Sequence, residues 1–254
     1  LVAKRKRVAL ARAAVNVDAL MERAMAVCAN KEKHRFRKAL SAASKINIIA
    51  EFKRASPSKG LINDSIDPVS AATAYHKGGA AAISVLTEED FFRGSLDDLR
   101  AVRNAVNLPI LRKDFIYDPF QIYEAVEAGA DAILLIAAML NDGTLAELYN
   151  LAEDRLGVDA LVEVHTAAEL KRVKNLGARL IGVNNRDLST FDVTLDVSRE
   201  LIRYAPADAV MISESGLKTR DDLEEMLQLG YSGCLIGERL MRSTDPSAML
   251  DSLN

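Results

Sequence analysis

Hydrophobic positions along the chain fall in short continuous runs, with no polar–apolar alternation inside them. Four runs follow a recurring phrase: Gly78-Gly79-Ala80-Ala81-Ala82-Ile83-Ser84, Gly129-Ala130-Asp131-Ala132-Ile133-Leu134, Gly177-Ala178-Arg179-Leu180-Ile181-Gly182 and Gly230-Tyr231-Ser232-Gly233-Cys234-Leu235-Ile236-Gly237. Each places a glycine stop after a helical pattern, then a small residue, then an apolar run. Glycine suits the stop because it takes the left-handed conformation without a Cβ clash. The phrase returns about every 50 residues, the length of two strand–helix units. Four more runs lie between these, at Ile46–Phe52, Pro109–Arg112, Ala160–Val164 and Ala209–Ser213. Unbroken apolar strands are buried on both faces, as in a parallel sheet covered by helices.

The intervening stretches carry helix-start signals. Asp118-Pro119 pairs an N-cap with proline at the first helical position. Thr219 can cap Arg220–Leu229. Thr166 with Glu169 three residues on predicts a capping box before Ala167–Leu176. Eight strand–helix units in 254 residues predict an α/β fold, a closed (β/α)8 TIM barrel. An open doubly wound sheet is the alternative, but its Gly-x-Gly-x-x-Gly turn is missing. Residues 1–45 break the alternation and predict two or three Ala-rich helices packed on the barrel. No Pro/Gly/Ser-rich linker follows them, so 1–254 is expected to be one domain.

Composition narrows the function. Lys and Arg total 33 against 36 Asp and Glu, a net charge of −3, which argues against a nucleic-acid partner. The basic run Lys4 to Arg7, with Arg12, is expected to be a solvated helix face. It has no apolar stretch behind it, unlike a signal peptide, and no run is long enough to span a bilayer. A chain that begins at Leu1 is expected to be trimmed or late-starting. Cys28 and Cys234 exclude a disulfide framework and suit a reduced cytoplasmic setting. His34, His76 and His165 show no zinc-ligand spacing, so no metal is expected. Glu88-Glu89-Asp90 is expected to be a solvated loop. His76 suits a helix C-terminus, and His165 is expected to cap or pair locally.

In a barrel of this kind the site lies where strands end and loops begin. Charged and polar groups gather there: Glu51 and Lys53 on one face of strand one, Lys113 after strand three, Glu163 on strand five, Asn184 and Arg186 after strand six, Glu214 on strand seven. Unpaired ions in such places cost several kcal/mol. Converging lysines and carboxylates can pair as a structural ring, or hold shifted pKa values suited to acid–base work. Lysines grouped together are expected to have depressed pKa values. Ser213-Glu214-Ser215-Gly216 and Leu235-Ile236-Gly237-Glu238 suggest a phosphate site after strands seven and eight, with backbone N–H groups approaching the anion and Glu238 turned outward. Phe92, Phe115 and Pro57 could form an apolar wall.

On these residues the sequence resembles the indole-3-glycerol-phosphate synthases. The matching stretches are Ile49 to Gly60, Ser84 to Ser95, Leu111 to Phe115, Leu161 to His165, Gly182 to Leu188 and Ile212 to Gly216. The resemblance runs from about residue 46 onward, in order and without large gaps; the first two stretches are specific to the family. It implies a cofactor-free, metal-free enzyme of tryptophan biosynthesis that closes the indole ring of 1-(2-carboxyphenylamino)-1-deoxyribulose 5-phosphate, with loss of carbon dioxide and water. It implies Lys113 as general acid in ring closure and Glu163 in proton transfer during dehydration. Lys53 and Glu51 orient the substrate and share the proton chemistry. Asn184 and Glu214 position hydroxyls and charged groups. Ser215, Gly216 and Gly237 contact phosphate, and Pro57, Phe92, Phe115 and Leu134 surround the anthranilate ring. Ser56, Arg186, Leu235 and Glu238 complete the expected substrate-binding set.

Two departures stand out. The N-terminal extension begins at Leu1 with no aromatic before Phe36 to cover the substrate, and Arg239 adds a charge beside the expected phosphate site. Besides the phosphorylated small molecule, a fused or docked enzyme of the same pathway is a possible partner. The rival readings are a sugar-phosphate isomerase and a non-catalytic barrel that binds a phosphorylated ligand. An isomerase would use aspartate or cysteine where this chain has lysine and glutamate.

Overall fold

The structure, a computed structural model, describes residues 2–41, 46–188 and 190–253. Leu1 and residues 42–45 of the expected extension lie outside the described residues. Eight parallel strands close into a barrel: β1 Asn47–Phe52, β2 Ala82–Leu86, β3 Ile110–Lys113, β4 Ala132–Ile136, β5 Asp159–Val164, β6 Leu180–Asn184, β7 Val210–Glu214 and β8 Gly233–Ile236. β1 pairs with both β2 and β8, which closes the ring. The eight apolar runs therefore are the eight strands, with ends shifted by a residue or so.

The strands are buried on both faces because two cores meet on them. Ile49, Leu111, Leu134, Leu161, Leu180, Ile212 and Leu235 fill the barrel interior. Ile48, Ala50, Phe52, Val162 and Val164 face the helices. A register slip of one residue would exchange these sets and drive Glu51 and Glu163 into the outer core, at several kcal/mol per unpaired ion.

Helices alternate with the strands. Asp118 starts α6 (Pro119–Glu127) with a capping box completed by Gln121, and Thr219 starts α10 (Arg220–Leu229) with one completed by Asp222. Thr166 does cap α8 (Ala167–Leu176), but the Glu169 carboxylate accepts from His165 N at 2.8 Å. It reaches one residue beyond the N-cap, so the expected capping box is replaced by a wider clasp. His76 lies in the last turn of α4 (Pro68–Lys77), where its side chain meets the negative end of the helix dipole.

The extension forms α1 Val2–Ala14, α2 Val17–Ala29 and the short α3 Arg35–Ala39. Phe36 and Leu40 are fully buried in the inner core; with α3 they plug the barrel at the N-terminal ends of the strands, where Asn47 Nδ2 donates to Leu40 O at 3.0 Å. α2 packs on α6. α1 reaches the opposite end; its basic run is solvated as expected at Arg5, Lys6 and Arg12, but not at Lys4. Lys4 is 4% exposed and its ammonium meets Asp114 at 2.8 Å. Arg7 pairs with Glu89 and Asp90, and Arg12 with Asp118. Opposite charge on the loops beneath attracts the run that would otherwise face water. Glu88 also departs from the solvated loop expected of it. It is buried, and its carboxylate accepts from the backbone of Asp90, Phe91 and Phe92, because a tight turn with inward N–H groups needs an internal acceptor. Among the described residues no helix is long and apolar enough to cross a membrane.

Candidate active site

Inward-facing side chains at the C-terminal ends of β3, β5, β6 and β7 meet in one network. Lys113 Nζ lies 3.0 Å from Glu163 Oε2 and also contacts Glu214 Oε2. Asn184 Nδ2 donates to Glu163 Oε1 at 3.2 Å. Register explains the convergence: Glu163 is level with Gly182, and Asn184 with Glu214, on adjacent strands. On β1 the strand period of two puts Glu51 beside Lys53, 2.5 Å apart.

Two glycines make room for these carboxylates. A Cβ on Gly182 would collide with Glu214 Oε1, and one on Gly237 would fall 2.5 Å from Glu51 Oε1. Gly182 was missed as a site position, although a glycine inside a strand signals close approach by another group. Asn185 was missed as well. Fully buried, it donates to Ser213 Oγ and to the carbonyls of Glu214 and Ser215, and so holds the end of β7 in place.

Three carboxylates, Glu51, Glu163 and Glu214, face two ammonium groups, Lys53 and Lys113. Burial works against the Lys113 ammonium, but Glu214, Glu163 and Glu51 outweigh it and raise its pKa above the usual lysine range. This corrects the expected depression: the close neighbours of Lys113 are carboxylates, not lysines. Burial raises both glutamates, and their neighbours then separate them. Lys113 and His165 bring Glu163 below its ordinary value. Glu214 is pushed up to about 7, with Lys113 opposing and Glu163 and Glu51 adding to the rise. Two carboxyls separated in this way can act as base and proton carrier near neutral pH. His165 Nε2 lies 3.5 Å from Glu163 Oε1, and Nδ1 lies 3.5 Å from Glu169 Oε2, which is the local pairing expected of it.

Around this network the phenyl rings of Phe92 and Phe115 meet edge to face, centroids 6.3 Å apart. Phe115 also packs on the inner core that holds Leu134 and Leu235. Pro57 stands exposed on the loop after β1. Ser56 belongs to a two-residue hairpin with Gly60, and Arg186 Nη1 donates to Ser58 Oγ at 3.3 Å, tying the loops after β6 and β1. After β7, Ser215 and Gly216 both have positive φ, 67° and 85°. Glu238 pairs with Arg242 at 3.1 Å, as its outward placement requires. Arg239 turns to Met249 Sδ at 3.1 Å, toward the C-terminal helix.

A closed barrel with a lysine held between two carboxylates at its C-terminal mouth defines a class, the barrel enzymes of acid–base chemistry. The family model described as indole-3-glycerol phosphate synthase matches residues 1–253. The chain belongs to the indole-3-glycerol phosphate synthase family. A protein of that name from Carboxydothermus hydrogenoformans is 51% identical over 214 residues, 84% of this chain and 81% of the relative. One from Leifsonia xyli is 50% identical over 212 residues, with 84% and 81% covered. Among solved structures, 3-hexulose-6-phosphate synthase from Salmonella typhimurium superposes with a TM-score of 0.63 at 14% identity, covering 82% of this chain and 96% of that one. N-acetylmannosamine-6-phosphate 2-epimerase from Clostridium perfringens gives 0.62 at 17% identity, covering 87% and 95%. These two likenesses are of fold alone.

Proposed function

We propose that the protein, acting as one domain, is a carboxy-lyase that converts 1-(2-carboxyphenylamino)-1-deoxyribulose 5-phosphate to indole-3-glycerol phosphate. Its family membership supports the reaction, and one observation carries the assignment of roles: Lys113 sits between two carboxyls of separated pKa. In ring closure the aromatic carbon that bears the carboxylate attacks the ketone carbon of the sugar chain. Negative charge develops on the ketone oxygen, and the Lys113 ammonium stabilises it and supplies the proton. Glu214, pushed up to about 7, is the group that can return a proton to Lys113. Departure of carbon dioxide leaves its bonding electrons in the ring. The new hydroxyl then takes a proton from the Lys53 ammonium and leaves as water, while Glu163 accepts a proton from the neighbouring carbon.

Lys53 and Glu51 orient the substrate, and Asn184 holds Glu163 in place. The successive left-handed residues Ser215 and Gly216 suit backbone N–H donation to the phosphate, with Gly237 and Arg186 near it. Phe92, Phe115 and Leu134 take the anthranilate ring, with Ser56, Pro57, Leu235 and Glu238 at the rim. A cytoplasmic setting and a fused or docked pathway enzyme belong to the same proposal, as does the absence of a cofactor.

The test follows indole fluorescence after mixing purified protein with this substrate. The wild type is expected to turn over, and Lys113→Ala to lose about 100-fold or more in kcat with substrate binding largely kept. A folded wild type that forms no product, yet is stabilised by phosphate, would favour the non-catalytic binder. Equal loss of binding and rate in Lys113→Ala would count against its role as the acid.

A further inference from the structure

At the end of the barrel opposite the catalytic network, three side chains from distant parts of the sequence point at one another. His34 lies on the turn before α3. Glu153 lies on a single π-helical turn, Leu151–Leu156, that follows α7 (Asp142–Asn150). Asp159 opens β5. One ligand atom from each of His34, Glu153 and Asp159 falls within 4.8 Å of the other two. Two of the separations are short: Nδ1 to Glu153 Oε2 is 3.3 Å and Nδ1 to Asp159 Oδ1 is 3.4 Å. Those are the edges of a tetrahedron with bonds of about 2.0–2.1 Å, the lengths zinc makes with imidazole and carboxylate.

Each carboxylate is oriented in the manner of a metal ligand. Glu153 accepts from Ala160 N through Oε1 at 2.9 Å, and its Oε2, which also accepts from Arg37 Nη1 at 3.3 Å, turns to the cluster. Asp159 accepts from Arg37 N through Oδ2 at 2.9 Å, which leaves Oδ1. Backbone donors thus fix both groups while their other oxygens turn toward one point, as supporting hydrogen bonds do for metal ligands. The Asp159 side chain is fully buried. Its Oδ1 and His34 Nδ1 are both buried atoms without a hydrogen-bond partner, an expensive arrangement to leave unmet. A π-helical turn is rare and frequently marks a functional position.

We propose that His34, Glu153 and Asp159 form a binding site for one divalent transition-metal ion, of the zinc class, that clips the α3 segment to the foot of the barrel. One nitrogen and two oxygens make a borderline donor set suited to such an ion, with water completing the tetrahedron. Arg37 approaches Glu153 Oε2 at 3.3 Å and Asp159 Oδ1 at 3.7 Å. Arg37, Lys38 and Arg179 all oppose a second cation, so Arg37 is the residue that limits affinity. Spacing along the chain gave no sign of this site, because only the fold brings positions 34, 153 and 159 together.

The test uses the purified full chain, stripped with chelator. It is titrated with zinc against a chromophoric chelator, and thermal unfolding is followed with and without the ion. One equivalent is expected to bind, with a rise in Tm. His34→Asn and Glu153→Gln are expected to weaken binding by at least ~10-fold, and Arg37→Met to strengthen it. Asn accepts the left-handed backbone that His34 adopts at φ 54°, and unchanged circular dichroism and basal turnover of His34→Asn establish that it folds. No uptake at about 100 μM free zinc, undiminished uptake in His34→Asn, or weaker uptake in Arg37→Met would each overturn the proposal.

Discussion

Single residues decide how protons are held at the mouth of the barrel. Glu214 is pushed up to about 7 by burial and by Glu163 and Glu51, against Lys113, while an unfolded glutamate titrates near 4.3. Between those values the folded chain binds a proton that the unfolded chain has released. Its stabilising contribution is therefore complete below about pH 4 and is lost as pH rises through about 7. Glu214→Gln removes that loss. Its Tm should exceed that of the wild type at pH 8 and approach it at pH 5, while turnover falls; calorimetry at both pH values checks this, and an equal shift at each would contradict it. Gly182→Ala should also slow turnover, because its Cβ meets Glu214 Oε1. It should move the pH–rate profile as well, which a merely local packing defect would not do. The pairing of Glu51 with Lys53 was legible from a period of two. The clasp of Lys113 between Glu163 and Glu214 was not, because it depends on the register of separate strands. The direction of the Lys113 shift was misjudged for the same reason.

Elements were more legible than the contacts between them. Apolar runs, glycine stops and the caps at Asp118, Thr166 and Thr219 are local properties, and the strands and helices follow them closely. The partner of an element is not local. The basic face of α1 resembles any solvated face until Asp114, Glu89, Asp90 and Asp118 are placed beneath it. Among these pairs Lys4 with Asp114 is the buried one, and Arg112 and Thr87 share the same carboxylate oxygen. The exposed Arg7 and Arg12 pairs are screened by salt and individually worth at most ~1 kcal/mol. Lys4→Met is therefore expected to release α1. Hydrogen exchange should show protection lost over residues 2–14 while β3 keeps its own, at a cost of roughly 1–3 kcal/mol, since Arg112 still compensates Asp114. Arg7→Ala should leave protection nearly unchanged. The same protection in both variants would show that α1 is held by its apolar contacts, Val8 against Leu20 and Phe120.

At the scale of the whole molecule, the two ends of the barrel do different work. The C-terminal mouth gathers charge that is costly to bury, and the foot is closed by apolar side chains that the interior strands cannot supply. Eight strand–helix units made the closed barrel legible, because an open sheet would leave two edges and lack its nucleotide-binding turn. The plug was not legible: α3 is five residues long, too short to show a hydrophobic period. Yet Phe36 and Leu40 reach full burial beside Ile49, Leu111 and Leu161. Phe36→Ala removes a large ring from a site bounded by strands that cannot collapse inward without breaking the closed hydrogen-bond ring. A cost of about 3–5 kcal/mol is expected, the range for large aromatic truncations. If the ends are independent, denaturant unfolding of Phe36→Ala will show that loss, while kcat per folded molecule stays near the wild-type value. A matching loss of kcat in fully folded protein would mean that the foot sets the geometry of the mouth, with strain carried through the packed interior rather than absorbed where the ring was removed.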